Sequence, residues 1–238
     1  MNEDFISTVS HELRTPLTSI RGFSETMLSS WDKIDDESKK KFLQIIVEQS
    51  NRLINLVENM LSVTKLQEMK DDVKYKEFHV KPIIETVCLS LKNQYCDKKY
   101  EIISDNKTPA ILADKDKFQQ VMTNLIENAS KYGDNGTSVI IKTSFDNDYV
   151  SIDVEDTGIE IDKNDYEKIF TKFSRIDNPL TRKVQGSGLG LYITKNLVEK
   201  MNGKISVSSG NGQTTFSVKF QCANVERQAK NAVGYTHN

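Results

Sequence analysis

The chain of 238 residues is most informative first in what it lacks. Neither sign of charge dominates: 32 basic residues stand against 34 acidic ones, for a net charge of −2. No basic stripe stands out, so nothing favours nucleic acid or an anionic membrane surface as a partner. There is no uncharged apolar run of membrane-spanning length and no signal-peptide pattern, so these residues are expected to be soluble as given. Cysteine is scarce and unpaired in spacing. Cys88, Cys96 and Cys222 fit neither a zinc site nor a secreted disulfide framework and suit a reducing cytoplasm. Cys88, in PIIETVCLSL, reads as a helix core position. The length suits two modest domains, or one with an appendage.

What is present begins with helical spacing. Ile6, Val9, Leu13, Ile20, Phe23 and Met27 recur at 3-then-4 intervals, which predicts an amphipathic helix through FISTVSHELRTPLTSIRGF. His11 falls opposite that seam, facing water. Pro16 has no N–H and its ring crowds the Glu12 carbonyl, at a cost of about 3 kcal/mol, so a bend is expected at the histidine's own turn. By itself this pattern is also that of a surface histidine beside a tolerated kink. The helix fades near Trp31, and Asp35, Asp36 and Glu37 suit the positive start of a second one. Phe42, Ile46, Gln49, Leu53, Leu56, Met60 and Val63 keep the spacing, giving a helical hairpin over roughly residues 4 to 68. Its one apolar stripe has nothing large to pack against, so it is expected to dimerise into a four-helix bundle.

From about residue 77 the pattern is mixed. A helix is expected to open at Pro82, with short strands around YEIIS and AILAD and a helix from about Lys115 to Tyr132. SVIIKTSF and YVSIDVED form a hairpin around Asp146, Asn147 and Asp148. A helix then runs from about Leu189 to Met201, before a second hairpin around Gly210, Asn211 and Gly212. The fold class is α+β, a helical hairpin followed by a sandwich of one helical layer on a mixed sheet. The expected boundaries are 1–69 for the hairpin, 70–76 for a linker, 77–222 for the sandwich and 223–238 for a disordered tail.

Three stretches carry chemistry. In KFQQVMTNLIENASKYG the apolar Phe118, Val121, Met122, Leu125 and Ala129 share one helical face, while Asn124, Asn128 and Lys131 share another. Two amides and an ammonium could meet a metal–phosphate group, or form only a solvated face. In VSIDVED, Asp156 points to the same side as Val150, Ile152 and Val154, so its carboxylate needs a partner; an adenine amino group or a backbone N–H would serve. Gly158 follows, free to let a ligand approach the backbone. The stretch GSGLGL, Gly186 to Leu191, opens a helix with consecutive amides suited to phosphate. The irregular segment from Thr157 to Gln185 reads as a lid, anchored by Phe170 and Phe173, with Arg175 and Arg182 to meet phosphate charge.

Together SHELRTPL, NLIENASKY, DTG, IFTKF and GSGLGLYI resemble the H, N, G1, F and G2 boxes of the sensor histidine kinases of two-component systems, in the family's order. The resemblance covers about residues 4 to 220. It implies a dimeric phosphoacceptor hairpin joined to a Bergerat-type ATP domain, with His11 the phosphoacceptor, Glu12 its neighbouring base and Thr15 the phosphatase residue. It further implies Asn128 as the Mg²⁺ ligand and Asp156 as the adenine reader. Other nucleotide contacts would fall at Asn124, Lys131, Tyr132, Gly158, Arg175, Arg182, Gly186, Gly188, Leu189 and Gly190. The implied activity is ATP-dependent autophosphorylation and transfer to an aspartate of a response regulator receiver domain. With no sensor or membrane helix before the H-box, the chain is expected to be the cytoplasmic part of a membrane-anchored bacterial receptor. One departure is Glu160, where the family's G1 box usually has a second glycine; it adds charge and backbone stiffness near the nucleotide. A gyrase- or MutL-like ATPase shares the nucleotide fold but has no H-box, and a degenerate kinase could persist as a dimeric scaffold.

Overall fold

The computed structural model describes residues 3–68, 73–174 and 186–223, in two compact units divided between Glu68 and Met69. The first is a helical hairpin of α1 (Glu3–Ser30) and α2 (Asp36–Glu68), joined through a 3-10 turn at Trp31–Lys33. Asp35 starts α2: its carboxylate accepts from the Ser38 amide at 2.8 Å and the Ser38 hydroxyl at 2.7 Å. These bonds favour its charged form and hold its pKa below the usual range. The Phe23 and Phe42 rings meet at 5.1 Å near the turn, and Met27, Leu56, Val63 and Leu66 are buried along the pair. α1 runs unbroken through Pro16, which is buried.

The single stripe expected on α2 proves to be two. Alongside the packed one runs a second set, Leu43, Val47, Ile54, Val57 and Leu61, each 42% to 58% exposed in the single chain. Their spacing of four, seven, three and four residues is that of a heptad seam.

In the second unit, β2 (Lys99–Ile103), β4 (Ser138–Phe145), β5 (Tyr149–Thr157), β7 (Gln213–Gln221) and β6 (Lys204–Gly210) form one sheet in that spatial order. Only the β2–β4 pair is parallel. A second, two-stranded sheet pairs β1 (Tyr75–Phe78) with β3 (Ile111–Asp114). β1 starts inside the stretch expected to be linker. Of its four residues only Phe78 is even half-buried, so no apolar alternation marks it in the sequence. α3 (Val80–Lys92) begins two residues before Pro82, which still lies in the first turn, where helical N–H groups have no partner to lose.

α4 (Lys115–Tyr132) packs against both α3 and α5 (Gly190–Lys200). Asp114 caps it, accepting from the amides of Asp116 at 3.1 Å and Lys117 at 3.2 Å. The core is centred on Phe118, fully buried, whose ring meets Phe78 edge-on at 5.4 Å and Phe220 at 5.5 Å. β5 is buried on alternate residues, Val150, Ile152, Val154 and Asp156, which aims the last of these into the helical layer. The stretch 224–238, most of the expected disordered tail, lies outside the described residues.

Candidate active site

The end of β5, the end of α4 and the start of α5 converge on one place. Asp156 is only 4% exposed, and its carboxylate receives no hydrogen bond among the described residues. Burial pushes its pKa up to about 7; Lys98 pulls against that, while Asp134 and Glu155 add to it. Directly opposite on β7 sits Thr214, buried as well, with its hydroxyl 3.0 Å from the Ile159 carbonyl and 2.7 Å from the Ser209 hydroxyl. Thr214 is a residue that sequence reasoning passed over. Its signal was a polar side chain in the buried register of Phe216, Val218 and Phe220. A buried acceptor beside a hydroxyl suits a planar group with N–H donors on its edge, as adenine has.

The glycines have different causes from the one expected. A Cβ on Gly158 would collide with the Tyr132 carbonyl oxygen, because Gly158 pairs with Gly133 at the end of α4. The Asp134 amide also donates to the Thr157 carbonyl at 2.6 Å. The protein's own backbone therefore already requires a bare residue at Gly158. At Gly190 a Cβ would sit 2.5 Å from Asn124 Oδ1, and Asn124 Nδ2 donates to Thr194 Oγ1 at 2.6 Å. Asn124 and Gly190 thus form a joint between α4 and α5. Gly188 has φ +66°, and its Cβ position is 2.7 Å from the Phe173 carbonyl carbon, so the F-box backbone crosses there. Among the described residues Gly186 meets only the Tyr132 hydroxyl, at 3.4 Å. A glycine backbone at a helix start suits a phosphate. Leu189 is fully buried and anchors the turn.

Asn128 is half-buried and its side chain makes no hydrogen bond among the described residues, so its amide oxygen is available as a neutral ligand. Lys131 pairs with Glu127 at 2.8 Å, and Glu127 also faces the Tyr95 hydroxyl at 3.3 Å. Among the described residues no cluster of three or more His, Cys, Asp or Glu could hold a metal. Asn128 could offer its amide oxygen to a Mg²⁺ ion that arrives with nucleotide phosphates, since Mg²⁺ keeps several waters and needs few protein oxygens.

Phe170 is buried edge-on to Phe216 at 6.4 Å, and Phe173 holds the left-handed conformation at φ 59°. Arg175 and Arg182 lie outside the described residues. Glu160 does not adopt a positive φ, so its side chain costs no backbone strain there, and its carboxylate accepts from the Gly212 amide in the β6–β7 turn.

On the hairpin, His11 is exposed and Thr15 Oγ1 donates to the His11 carbonyl at 3.3 Å. Glu12 meets Arg52 of α2 at 3.4 Å, both side chains about three-quarters buried. Arg52 carried no signal in the sequence, because only the register of the two helices brings it to Glu12.

Residues 1–68 match the His Kinase A (phospho-acceptor) domain, and residues 113–224 match the histidine kinase-, DNA gyrase B- and HSP90-like ATPase family. Similar proteins include the signal transduction histidine-protein kinase ArlS of Staphylococcus haemolyticus, 33% identical over 218 residues, covering 91% of this chain and 48% of that protein. The sensor protein kinase WalK of Staphylococcus aureus is 35% identical over 228 residues, covering 94% of this chain and 37% of that one. The chain therefore spans about half, or less, of the length of these relatives. Among solved structures, the Acinetobacter baumannii histidine kinase AdeS aligns with TM-score 0.72 at 22% identity, over 90% of this chain and 98% of that one. The histidine kinase ThkA, solved in complex with the response regulator protein TrrA, aligns with TM-score 0.76 at 24% identity, over 94% of this chain and 63% of that one.

A phosphoacceptor hairpin followed by an ATP-binding α/β sandwich defines a protein histidine kinase, whereas a gyrase-like ATPase would account for the second match alone. The chain belongs to the sensor histidine kinases of two-component systems.

The Asp156 carboxyl makes stability depend on pH. Between its ordinary value of 3.8 and about 7 the folded state retains a proton that the unfolded chain has lost, so stability falls as pH rises through that window. In the absence of nucleotide, Asp156→Asn is expected to raise the chemical-denaturation free energy at pH 8 by about 2 to 4 kcal/mol, at ~1.4 kcal/mol per pH unit, and by less at pH 5. An equal effect at both pH values would contradict this placement of the carboxyl.

Proposed function

We propose that the chain binds Mg²⁺–ATP in its second unit, phosphorylates His11, and passes the phosphoryl group to an aspartate of a response regulator receiver domain. The observation that carries the reading is a buried carboxylate, Asp156, with no hydrogen-bond donor among the described residues, on the unit that carries the glycine turn, while the other unit exposes His11. Asp156 and Thr214 hold the adenine edge, the amides from Gly186 to Gly190 receive phosphate oxygens, and Asn128 offers its amide oxygen to the metal. When bound, Mg²⁺ neutralises phosphate charge. An imidazole nitrogen of His11 attacks the γ-phosphorus, the N–P bond forms and the bond to the bridging oxygen breaks, with ADP leaving. Glu12 holds the other ring N–H and stabilises the positive charge that develops on the ring, and Arg52 fixes the carboxylate against α2.

Four further readings go with this one. The exposed α2 seam supports a homodimer, since a heptad face of five apolar residues has no cover in one chain. ThkA's complex with TrrA supports a receiver-domain partner. The word sensor in WalK's name and the greater length of the relatives support a longer receptor, anchored in a membrane through a part outside this chain; no described helix is long and apolar enough to cross a membrane. Thr15, one turn from His11, supports phosphatase activity toward the regulator: its hydroxyl could orient water once it leaves the His11 carbonyl.

With γ-labelled ATP and Mg²⁺, His11→Gln is expected to lose covalent label while its ATP affinity in calorimetry stays within about twofold, because the acceptor and nucleotide residues lie on different units. Label that persists would remove His11 from its role. In the same assay Thr15→Ala should keep the label yet lose regulator dephosphorylation; parallel loss of both would mean that Thr15 acts only through helix geometry. For the dimer, Leu61→Glu is expected to shift sedimentation toward monomer, and an unchanged mass would place the interface elsewhere.

A further inference from the structure

Lys98 stands just before β2, and no box contains it. It is a buried cation: its side chain is 2% exposed. Its ammonium donates to the Gly133 carbonyl at 2.9 Å and to the Asp134 carbonyl, the first two residues beyond α4. The carbonyls at a helix C-terminus carry partial negative charge, so a cation is favoured there. The nearest carboxylate, Asp97, is 3.9 Å away and half-exposed, which leaves the buried charge incompletely neutralised.

The turn that Lys98 holds is the one packed on Asp156. The Cβ position of Gly133 is 3.3 Å from Asp156 Cβ, Gly133 pairs with Gly158, and the Asp134 amide donates to the Thr157 carbonyl. The charged groups acting on Asp156 are Lys98 from before β2, Asp134 from the turn after α4, and Glu155 from β5 itself; β7 contributes only the neutral Thr214 opposite. Lys98 alone among them is positive.

We propose that Lys98 is a positioning residue of the nucleotide site: its ammonium clamps the end of α4 onto the Asp156 turn and supplies the counter-charge that keeps Asp156 an ionised acceptor for the adenine amino group. The inference rests on the adenine reading of Asp156. The field of Lys98 opposes burial, Asp134 and Glu155, and without it the carboxyl would hold its proton further above pH 7. A protonated carboxyl presents a donor on one oxygen and accepts less strongly on the other.

Two readouts on the full chain test this. The first is a carbon NMR titration of the Asp156 carboxyl without nucleotide, assigned through Asp156→Asn; the second is ADP affinity without Mg²⁺ at pH 7 and pH 9. Lys98→Gln keeps a donor but removes the charge. It is expected to raise the titration midpoint by about one pH unit and to weaken ADP about fivefold at pH 7, with affinity largely recovered at pH 9. Lys98→Arg should restore both. An unmoved midpoint in Lys98→Gln, or a loss of affinity equal at the two pH values, would overturn the electrostatic role. If Lys98→Gln does not fold, Lys98→Arg decides, since a midpoint raised in that charged variant would also overturn it. A midpoint that moves as expected in a protein that binds no ADP would overturn the adenine reading instead.

Discussion

The proposed nucleotide site depends on the approach of two backbones, Gly133 at the end of α4 and Gly158 after β5. No side chain fits at Gly158, because a Cβ there would meet the Tyr132 carbonyl. That contact closes the helical layer over the end of the strand. It covers Asp156, which has no hydrogen-bond donor among the described residues and faces Thr214 through the β5–β7 register, and it holds the α4 C-terminus where Lys98 donates to it. The remaining joints are secondary to it: Asn124 to Thr194 fixes where α5 starts, and Gly188 lets the F-box backbone cross the glycine turn.

Much of this was legible in the sequence, where one residue type answers to one physical need. The period-2 alternation of YVSIDVED aimed Asp156 inward, and the structure buries it on the same side as Val150, Ile152 and Val154. The helical periodicities and turn residues located α1, α2, α4 and α5 to within about two residues of their ends, and the start of α3 to within two. What was not legible depends on long-range register. Arg52 meets Glu12 across 40 positions, Thr214 meets Asp156 across 58, and Lys98 reaches a turn 35 positions on. β1 escaped because its residues are mostly exposed, and the second stripe of α2 because the first already satisfied the helical pattern. Glycine was the subtlest case: bareness was read at Gly158 for a ligand and amides at Gly190 for phosphate, while at both positions the protein's own atoms leave no room for a Cβ.

Glu160 illustrates how a departure from a motif is absorbed locally. A glycine there was expected for backbone freedom, yet the residue adopts no positive φ, and its carboxylate takes up the Gly212 amide of the β6–β7 turn. Ile161, Tyr166 and Thr214 bind the same turn region through Ser209 and the Ile159 carbonyl. The segment after β5 is thereby laced to the hairpin that carries Thr214, and the added charge is hydrogen-bonded there.

The central claim is chemical: the phosphoryl group resides on an imidazole nitrogen. The measurement that tests it most directly is the stability of the covalent label on denatured protein after incubation with γ-labelled ATP and Mg²⁺. A phosphoramidate bond at histidine loses its phosphoryl group in acid, where the ring nitrogen is protonated into a good leaving group, and survives in base. The account predicts label lost in acid and retained in base; label stable in acid, or lost in base as an acyl phosphate would be, would contradict it.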